Sequence, residues 1–537
     1  MLSHTQFARL LLASLLTLCA ASASAQSFRV QCPAGTKLHP ATVPDATYST
    51  FTQQGRTDGL LNPTPAMANA NIKCQQISGG DGFATMGDGT QTYLFGFGPL
   101  SGMADIVNGL PGTQTGSVFN VDTSSVALNI GDPTPGYTFN GAVGQVPDPE
   151  SLPTPGLLTG HVDPRLIMDV GVMNASQPAP MMAIDEDDEF FLTLTNVGMV
   201  MRPDLFEQHT VHFHGYPNAS SFFDGVPDAS VAINIGGSFT YYYLAPEAGT
   251  YFWHCHITPP EHLQMGMVGQ IYVRPRQNKV LATQDLGVAL KTANMSFGPS
   301  ATGVGCNDIL CSSQTPLPAG ADATTGATGV NGGGKYAYND GNGSTRYDVE
   351  YPIQMMGFDP NFHFVGMTFN PEAFTDMKDK YFMLNGRSYP DTVSPAPMQT
   401  QSTDGSLHTS QPLPTIINIP AGGRALLRIS ELAVSEYHTL ASLGIPMRVI
   451  AINARLLRDM AGNDLTYATN SITLGGGESL DVILDATGYT AGQKFYLYTP
   501  NLDHLSNDAE NFGGQMTEVN ICTSVDPITK VGVGCPS

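Results

Sequence analysis

Charge is scarce in this 537-residue chain, and what there is leans to one sign. Charged residues make up 13%, and 46 Asp and Glu against 23 Lys and Arg leave a formal net charge of -23. Such a chain repels nucleic acid and anionic membrane surfaces, so neither is an expected partner, whereas cationic or neutral small molecules are. Long apolar runs are missing too. Only Leu10 to Ala20 forms one, and it falls short of the ~20 residues that a membrane-spanning helix needs. No amphipathic helical pattern of any length and no short-period repeat occurs, which excludes a fold of long helices.

Glycine (58) and proline (39) are abundant, and 41% of residues are hydrophobic. That mixture suits many short strands joined by turns, in a chain too long for one core. His4 and Arg9, the apolar run and Ala23-Ser24-Ala25 read as a signal peptide over 1-25, with Gln26 as the mature start and a secreted or periplasmic destination. Of the eight cysteines, Cys19 leaves with that segment. Cys32 with Cys74, Cys306 with Cys311 and Cys522 with Cys535 are candidate local disulfides for an oxidising compartment, and Cys255 is left alone.

Residues 26-165 read as an extended N-terminal region. From 166 to 275, short aromatic and β-branched runs such as Glu189 to Asn196, Ser238 to Tyr243 and Gly249 to Trp253 alternate with turn signals and predict an all-β sandwich. Residues 276-345 read as a linker whose core, Gly320 to Gly334, is expected to be mobile. A second strand series over 346-537 predicts a second sandwich.

Six of the thirteen histidines fall in two short segments, His209 to Gly215 and His254 to Met267. Imidazole binds copper in both oxidation states, thiolate holds Cu(I), and a weak thioether tunes the potential. Cys255, His262 and His209 therefore form a candidate copper site, with Met267, or its competitor Met265, as the axial sulfur. Zinc, which also takes Cys and His, is the competing metal. Strand alternation turns His212 and His214 to one face, and His254 and His256 to one face with Cys255 opposite. Cys255 can then serve one metal while its neighbours serve others, a few bonds away.

His212-Phe213-His214-Gly215, Gly249 to His256 and Gly266-Met267-Val268-Gly269 resemble motifs of the multicopper oxidase and copper nitrite reductase superfamily. Leu384-Asn385-Gly386-Arg387, Pro420 to Arg424 and Gly477 to Val482 resemble the copper-free middle domain of laccases. The resemblance implies tandem cupredoxin-like Greek-key β-sandwiches, the second without a type 1 copper. It implies a type 1 copper at His209, Cys255, His262 and Met267. His212, His214, His254 and His256 would belong to a type 2/type 3 cluster that reduces dioxygen, fed with single electrons through Cys255 from a phenol or low-valent metal ion. Laccase-like enzymes draw on four His-x-His pairs, and this chain has two, so a homo-oligomer would complete the cluster. His504 is then either a contributor to a neighbour or a surface histidine. An exported electron carrier and a nitrite-reductase-like enzyme are the alternative functions, although His212 stands where the latter group has an acid.

Overall fold

The computed structural model describes residues 72-100, 168, 170-215, 221-245, 247-296, 315-366, 373-527 and 529-536, with 36 and 38 besides. The first sandwich has eight strands: β1 (Ile72–Thr85), β2 (Gln91–Pro99), β3 (Met182–Asp185), β4 (Glu189–Gly198), β5 (His212–Phe213), β6 (Ser238–Leu244), β7 (Gly249–His254) and β8 (Val268–Arg274). They form two sheets, in the orders β2-β1-β4-β6 and β3-β8-β7-β5. Phe97, Phe190, Leu192, Tyr243, Trp253 and Ile271 fill the space between them. These strands are rich in β-branched and aromatic residues, whose broad side chains pack well on a pleated surface.

The sandwich starts earlier than the sequence pattern indicates. β1 and β2 lie inside the stretch read as an extended region, and β1 runs parallel to β4 with Ile77 opposite Leu194. Glycines conceal these strands, because Gly79, Gly80, Gly82, Gly96 and Gly98 interrupt the alternation of side chains. They serve close approach instead. A Cβ on Gly79 would lie 2.7 Å from Cδ2 of His209, and one on Gly98 would lie 2.2 Å from the carbonyl oxygen of Asn174. The signal-peptide residues, and those of the extended region other than 36, 38 and 72-100, lie outside the described residues.

The described part of the linker carries more regular structure than its composition implies. It contains a helix, Leu286–Ser296, whose first turn is capped by Asp285 accepting from the Gly287 and Val288 amides at 2.9 and 3.1 Å. The same carboxylate accepts from the Gly329 amide at 2.7 Å and so pins the Ala-, Thr- and Gly-rich core.

The second sandwich pairs a sheet built around strands Val349–Phe358, Arg424–Glu431, Ser479–Asp485 and Met447–Ile452 with one containing Ile417–Pro420, Met516–Cys522, Lys494–Tyr498 and His438–Leu443. It repeats the first. Ile417 lies parallel to Val519 as Met182 does to Ile271, and Ala441 faces Tyr498 as His212 faces His254. The Thr499 amide donates to the Gln515 carbonyl as the Cys255 amide does to that of Met267. The Gln515 amide donates to His504 as that of Met267 does to His262.

A buried polar seam joins the two sandwiches. Thr250 on β7 donates to Asp481 at 2.6 Å, and Gln270 on β8 donates to the Arg428 carbonyl at 3.0 Å and to Ser430 at 2.7 Å. Arg428 is itself fully buried against Glu350 and Asp481. One disulfide is present among the described residues, Cys522–Cys535. The other two candidate pairs involve Cys32, Cys306 and Cys311, which lie outside them.

Candidate metal centre

Two clusters stand back to back at one end of the first sandwich. In the first, His209, Cys255 and His262 each offer a donor atom within 4.8 Å of the other two, and all three are buried. His209 arrives just before β5, through a bridge to Ile233. Cys255 follows β7 directly, and His262 sits on a short helix, Pro259–Met265. The Cys255 sulfur accepts from the Thr210 amide at 3.4 Å and lies 3.3 Å from Nδ1 of His262. Burial works against the Cys255 thiolate, but His262 and these hydrogen bonds outweigh it and hold the thiol below its ordinary pKa. Burial likewise opposes the charged form of His262, yet the Cys255 sulfur and Glu207 push it up to about 9. Burial drives His209 well below its usual value.

The donor chemistry and the bonding pattern fit a metal. Both ring nitrogens of His209 are buried without a hydrogen-bond partner, in a side chain that is 0% exposed. Orphaned buried polar atoms are rare, and a cation between two imidazoles and a thiol would satisfy one of them. Two imidazoles, a thiolate and a nearby thioether match copper rather than a hard ion. Met265 and Met267 are both fully buried beside this cluster.

The second cluster is made on the opposite face of the same strand. His212 and His254 are direct partners across β5 and β7. His214 and His254 approach to 2.9 Å between their Nε2 atoms, and the ring of His256 lies 5.1 Å from that of His212. The carbonyl of Asp224 accepts from Nδ1 of His212 at 2.6 Å, and the carbonyl of Cys255 accepts from Nδ1 of His254 at 2.6 Å. Each bond places a proton on Nδ1 and leaves Nε2 for a ligand. Burial and the neighbouring histidines lower His214 to about 4. Burial lowers His254 to about 3, so both rings are neutral near pH 7.

The structure therefore brings all seven candidate histidine and cysteine ligands into two groups, as strand alternation anticipates. It corrects the expectation for His504, which is neither on the surface nor turned outward. That residue is 2% exposed and packs in the second sandwich between Phe382 and His438. Sequence reasoning also missed Gly79, Glu207 at 3.6 Å from His262 Nε2, and Phe95 edge-on to His262 at 5.2 Å. A further group was missed as well, formed by Asp379, Glu436 and His438 with donor atoms within 4.8 Å. A signal for it exists, because His438-Thr439 followed by Gly444 repeats His209-Thr210 followed by Gly215.

Two facing sheets with two imidazoles and a thiol converging beside the strand that carries the histidine pairs define a cupredoxin-type metal domain. Residues 161–278 match a family model described as multicopper oxidase. The copper-motif sandwich belongs to the multicopper oxidase and copper nitrite reductase superfamily. Laccase abr2 of Aspergillus fumigatus is 32% identical over 109 residues, which are 20% of this chain and 17% of that protein. A copper-containing nitrite reductase of Neorhizobium galegae is 35% identical over 106 residues, 19% of this chain and 25% of that protein. Among solved structures, a blue copper oxidase from Nitrosomonas europaea aligns at a TM-score of 0.46 and 17% identity, covering 83% of this chain and 85% of that one. The likeness to the two curated relatives thus spans a quarter of their length or less.

Proposed function

We propose that this protein is an exported, laccase-like copper oxidase. The observation that carries the reading is the pair of clusters joined through one residue, with Cys255 in the first and its sequence neighbours His254 and His256 in the second. Copper bound there would supply one-electron transfer at the first cluster and dioxygen reduction at the second. The chain's own contribution is to position the ligands. His209, Cys255 and His262 would hold the first copper, with the Met267 thioether as its weaker fourth donor. The repeat of the fold supports Met267 over Met265, because the amide of its counterpart Gln515 meets its counterpart histidine, His438, at 2.7 Å. The Cys255 backbone would link the two coppers covalently through His254 and His256. Nδ1 of His212 and of His254 is held by a carbonyl, so these rings cannot turn away.

The second cluster opens on a cleft lined by His214, Phe252, Glu436, Tyr437 and Gly475 to Glu478, with no third His-x-His pair among the described residues. A symmetric homo-oligomer, with a neighbouring copy closing this half-site, is the assembly that fits. The negative charge favours a cationic reductant such as Mn(II), Fe(II) or Cu(I) beside neutral phenols. Export is supported by the leader-like pattern of residues 1-25 and by the Cys522–Cys535 disulfide. Among the described residues no helix is long and apolar enough to cross a membrane.

Copper content and oxygen uptake test the reading together. Two or more coppers per chain and oxygen consumption with a one-electron donor are the expected result. One copper without oxygen uptake would instead make the protein an electron carrier. Nitrite-dependent oxidation of the reduced blue site would make it a nitrite reductase.

A further inference from the structure

The repeat of the fold carries the position of the first metal cluster into the second sandwich, where the side chains differ. Strand register and backbone hydrogen bonds make His438 the counterpart of His209, Thr499 of Cys255, His504 of His262 and Gln515 of Met267. The two imidazoles keep their setting. Ring centroids are 5.4 Å apart at 63° in the first sandwich and 5.1 Å apart at 66° in the second. An aromatic ring also flanks the helical histidine in both, Phe95 at His262 and Phe382 at His504. The soft donors have gone, since a hydroxyl stands for the thiol and an amide for the thioether.

Carboxylates have come in. Asp379, Glu436 and His438 offer donor atoms within 4.8 Å of one another, and Glu436 Oε2 lies 3.1 Å from His504 Nε2. Glu431 Oε2 lies 3.4 Å from His438 Nδ1. Nε2 of His438 and Nδ1 of His504 are buried without a hydrogen-bond partner, in side chains 0% and 2% exposed. Burial, and then the neighbouring carboxylates, push Asp379 up to about 6 and Glu431 well above the usual carboxylate range. Such crowding of like charge is relieved by a cation.

We propose that this cluster is a second metal site, in which His438, Asp379 and Glu436, with His504 beside them, hold a Zn2+-like divalent cation. Imidazole and carboxylate donors without thiolate suit zinc and its borderline neighbours. A cation at Nε2 of His438 needs the ring proton on Nδ1. Glu431 Oε2, 3.4 Å away, is within reach of that proton, and the Gln515 amide, whose nitrogen now lies 2.7 Å from Nδ1, would accept it through its oxygen after half a turn. Asp379 Oδ1 also accepts from Gln264 at 2.8 Å, on the helix that carries His262, so the site braces the copper cage from the neighbouring sandwich.

The test uses the full-length, copper-loaded protein dialysed against Co2+, desalted and assayed for both metals, beside Glu436→Gln and Asp379→Asn. The wild type is expected to retain about one Co2+ per chain, with visible d–d bands and no thiolate-to-cobalt absorption. Each variant should bind Co2+ more than about tenfold more weakly, and Glu436→Gln, which leaves the Gln264–Asp379 bond in place, should keep its blue copper band unchanged. Glu436 is exposed, so its variant keeps the fold even if the buried Asp379→Asn does not. No retained cobalt in the wild type, or equal retention in Glu436→Gln, overturns the site. A copper ion that Co2+ does not displace, and that both variants lack, overturns the assignment to a zinc-like ion.

Discussion

The two sandwiches share a backbone plan and part company at a handful of side chains. At one end of the first stand His209, Cys255, His262 and Met267, and at the matching end of the second stand His438, Thr499, His504 and Gln515. The imidazoles survive in both, because a strand start and a short helical turn deliver them wherever the plan is repeated. The sulfur atoms do not. The fold thus sets where a metal site can be, and the side chain after the central strand decides which metal chemistry it favours.

The sharpest way to break this comparison is Cys255→Ser, which makes the first site resemble the second. All blue absorption and electron entry should vanish, while the melting temperature of the metal-free protein moves little. A blue band that persists would remove Cys255 as the ligand. Next in size is Arg428→Met, which cuts the seam between the sandwiches. It takes the closest cation from the fully buried Glu350, leaving Arg274 3.9 Å away, and should cost about 3–5 kcal/mol in denaturant unfolding. A loss below about 1 kcal/mol would mean that the seam contributes little to holding the halves together.

A matched pair of glycine substitutions sharpens the contrast. Gly79→Ala puts a methyl against the His209 ring, and Gly357→Ala puts one 2.0 Å from Asp379 Oδ2. Each should cost about 1–3 kcal/mol. The first should shift the blue spectrum, and the second should weaken Co2+ retention and reach the blue spectrum only weakly, through the Gln264–Asp379 bond. Equal shifts of the blue spectrum by both would show that the first site is not set by its own sandwich.

The smallest effect is a pH dependence. Burial raises Asp81 to about 6 from 3.8, even though Tyr93 and the Met201 amide donate to it. Its folded form takes up a proton more readily than the unfolded chain. Its contribution to stability is therefore full below about 3.8 and is lost as pH rises through about 6. Asp81→Asn should flatten the stability profile between those values by at most about 2–3 kcal/mol, followed by urea unfolding. An unchanged slope would assign the titration elsewhere.

The first site was readable in the sequence because its ligands are local. The seven histidine and cysteine ligands of that cluster and its back-to-back neighbour lie within two short segments, and strand alternation alone sorts Cys255 from His254 and His256. β1 and β2 were not readable, because glycines kept for close approach erase the period-two pattern by which strands are recognised. The group around Asp379 and His438 in the second sandwich was not readable for a different reason. Asp379, His438 and His504 are isolated in sequence, and hydrogen-bond register brings them together. The linker misled through composition, since one carboxylate, Asp285, orders a run of small residues that looks slack on paper.

The helix Pro259–Met265 is clamped from outside its own domain, by Asp379 through Gln264 and by His363, whose Nε2 lies 2.9 Å from the Gln264 carbonyl. An ion that gains and loses electrons works fastest when its cage does not reshape with each change of valence. Here part of that stiffness is borrowed. The copper sandwich cut free of its neighbour would keep every ligand and lose the splint, so it would be a poorer conductor than the same residues in the intact chain. The second half is a mechanical component of the first, which is reason enough for the two to have stayed on one polypeptide.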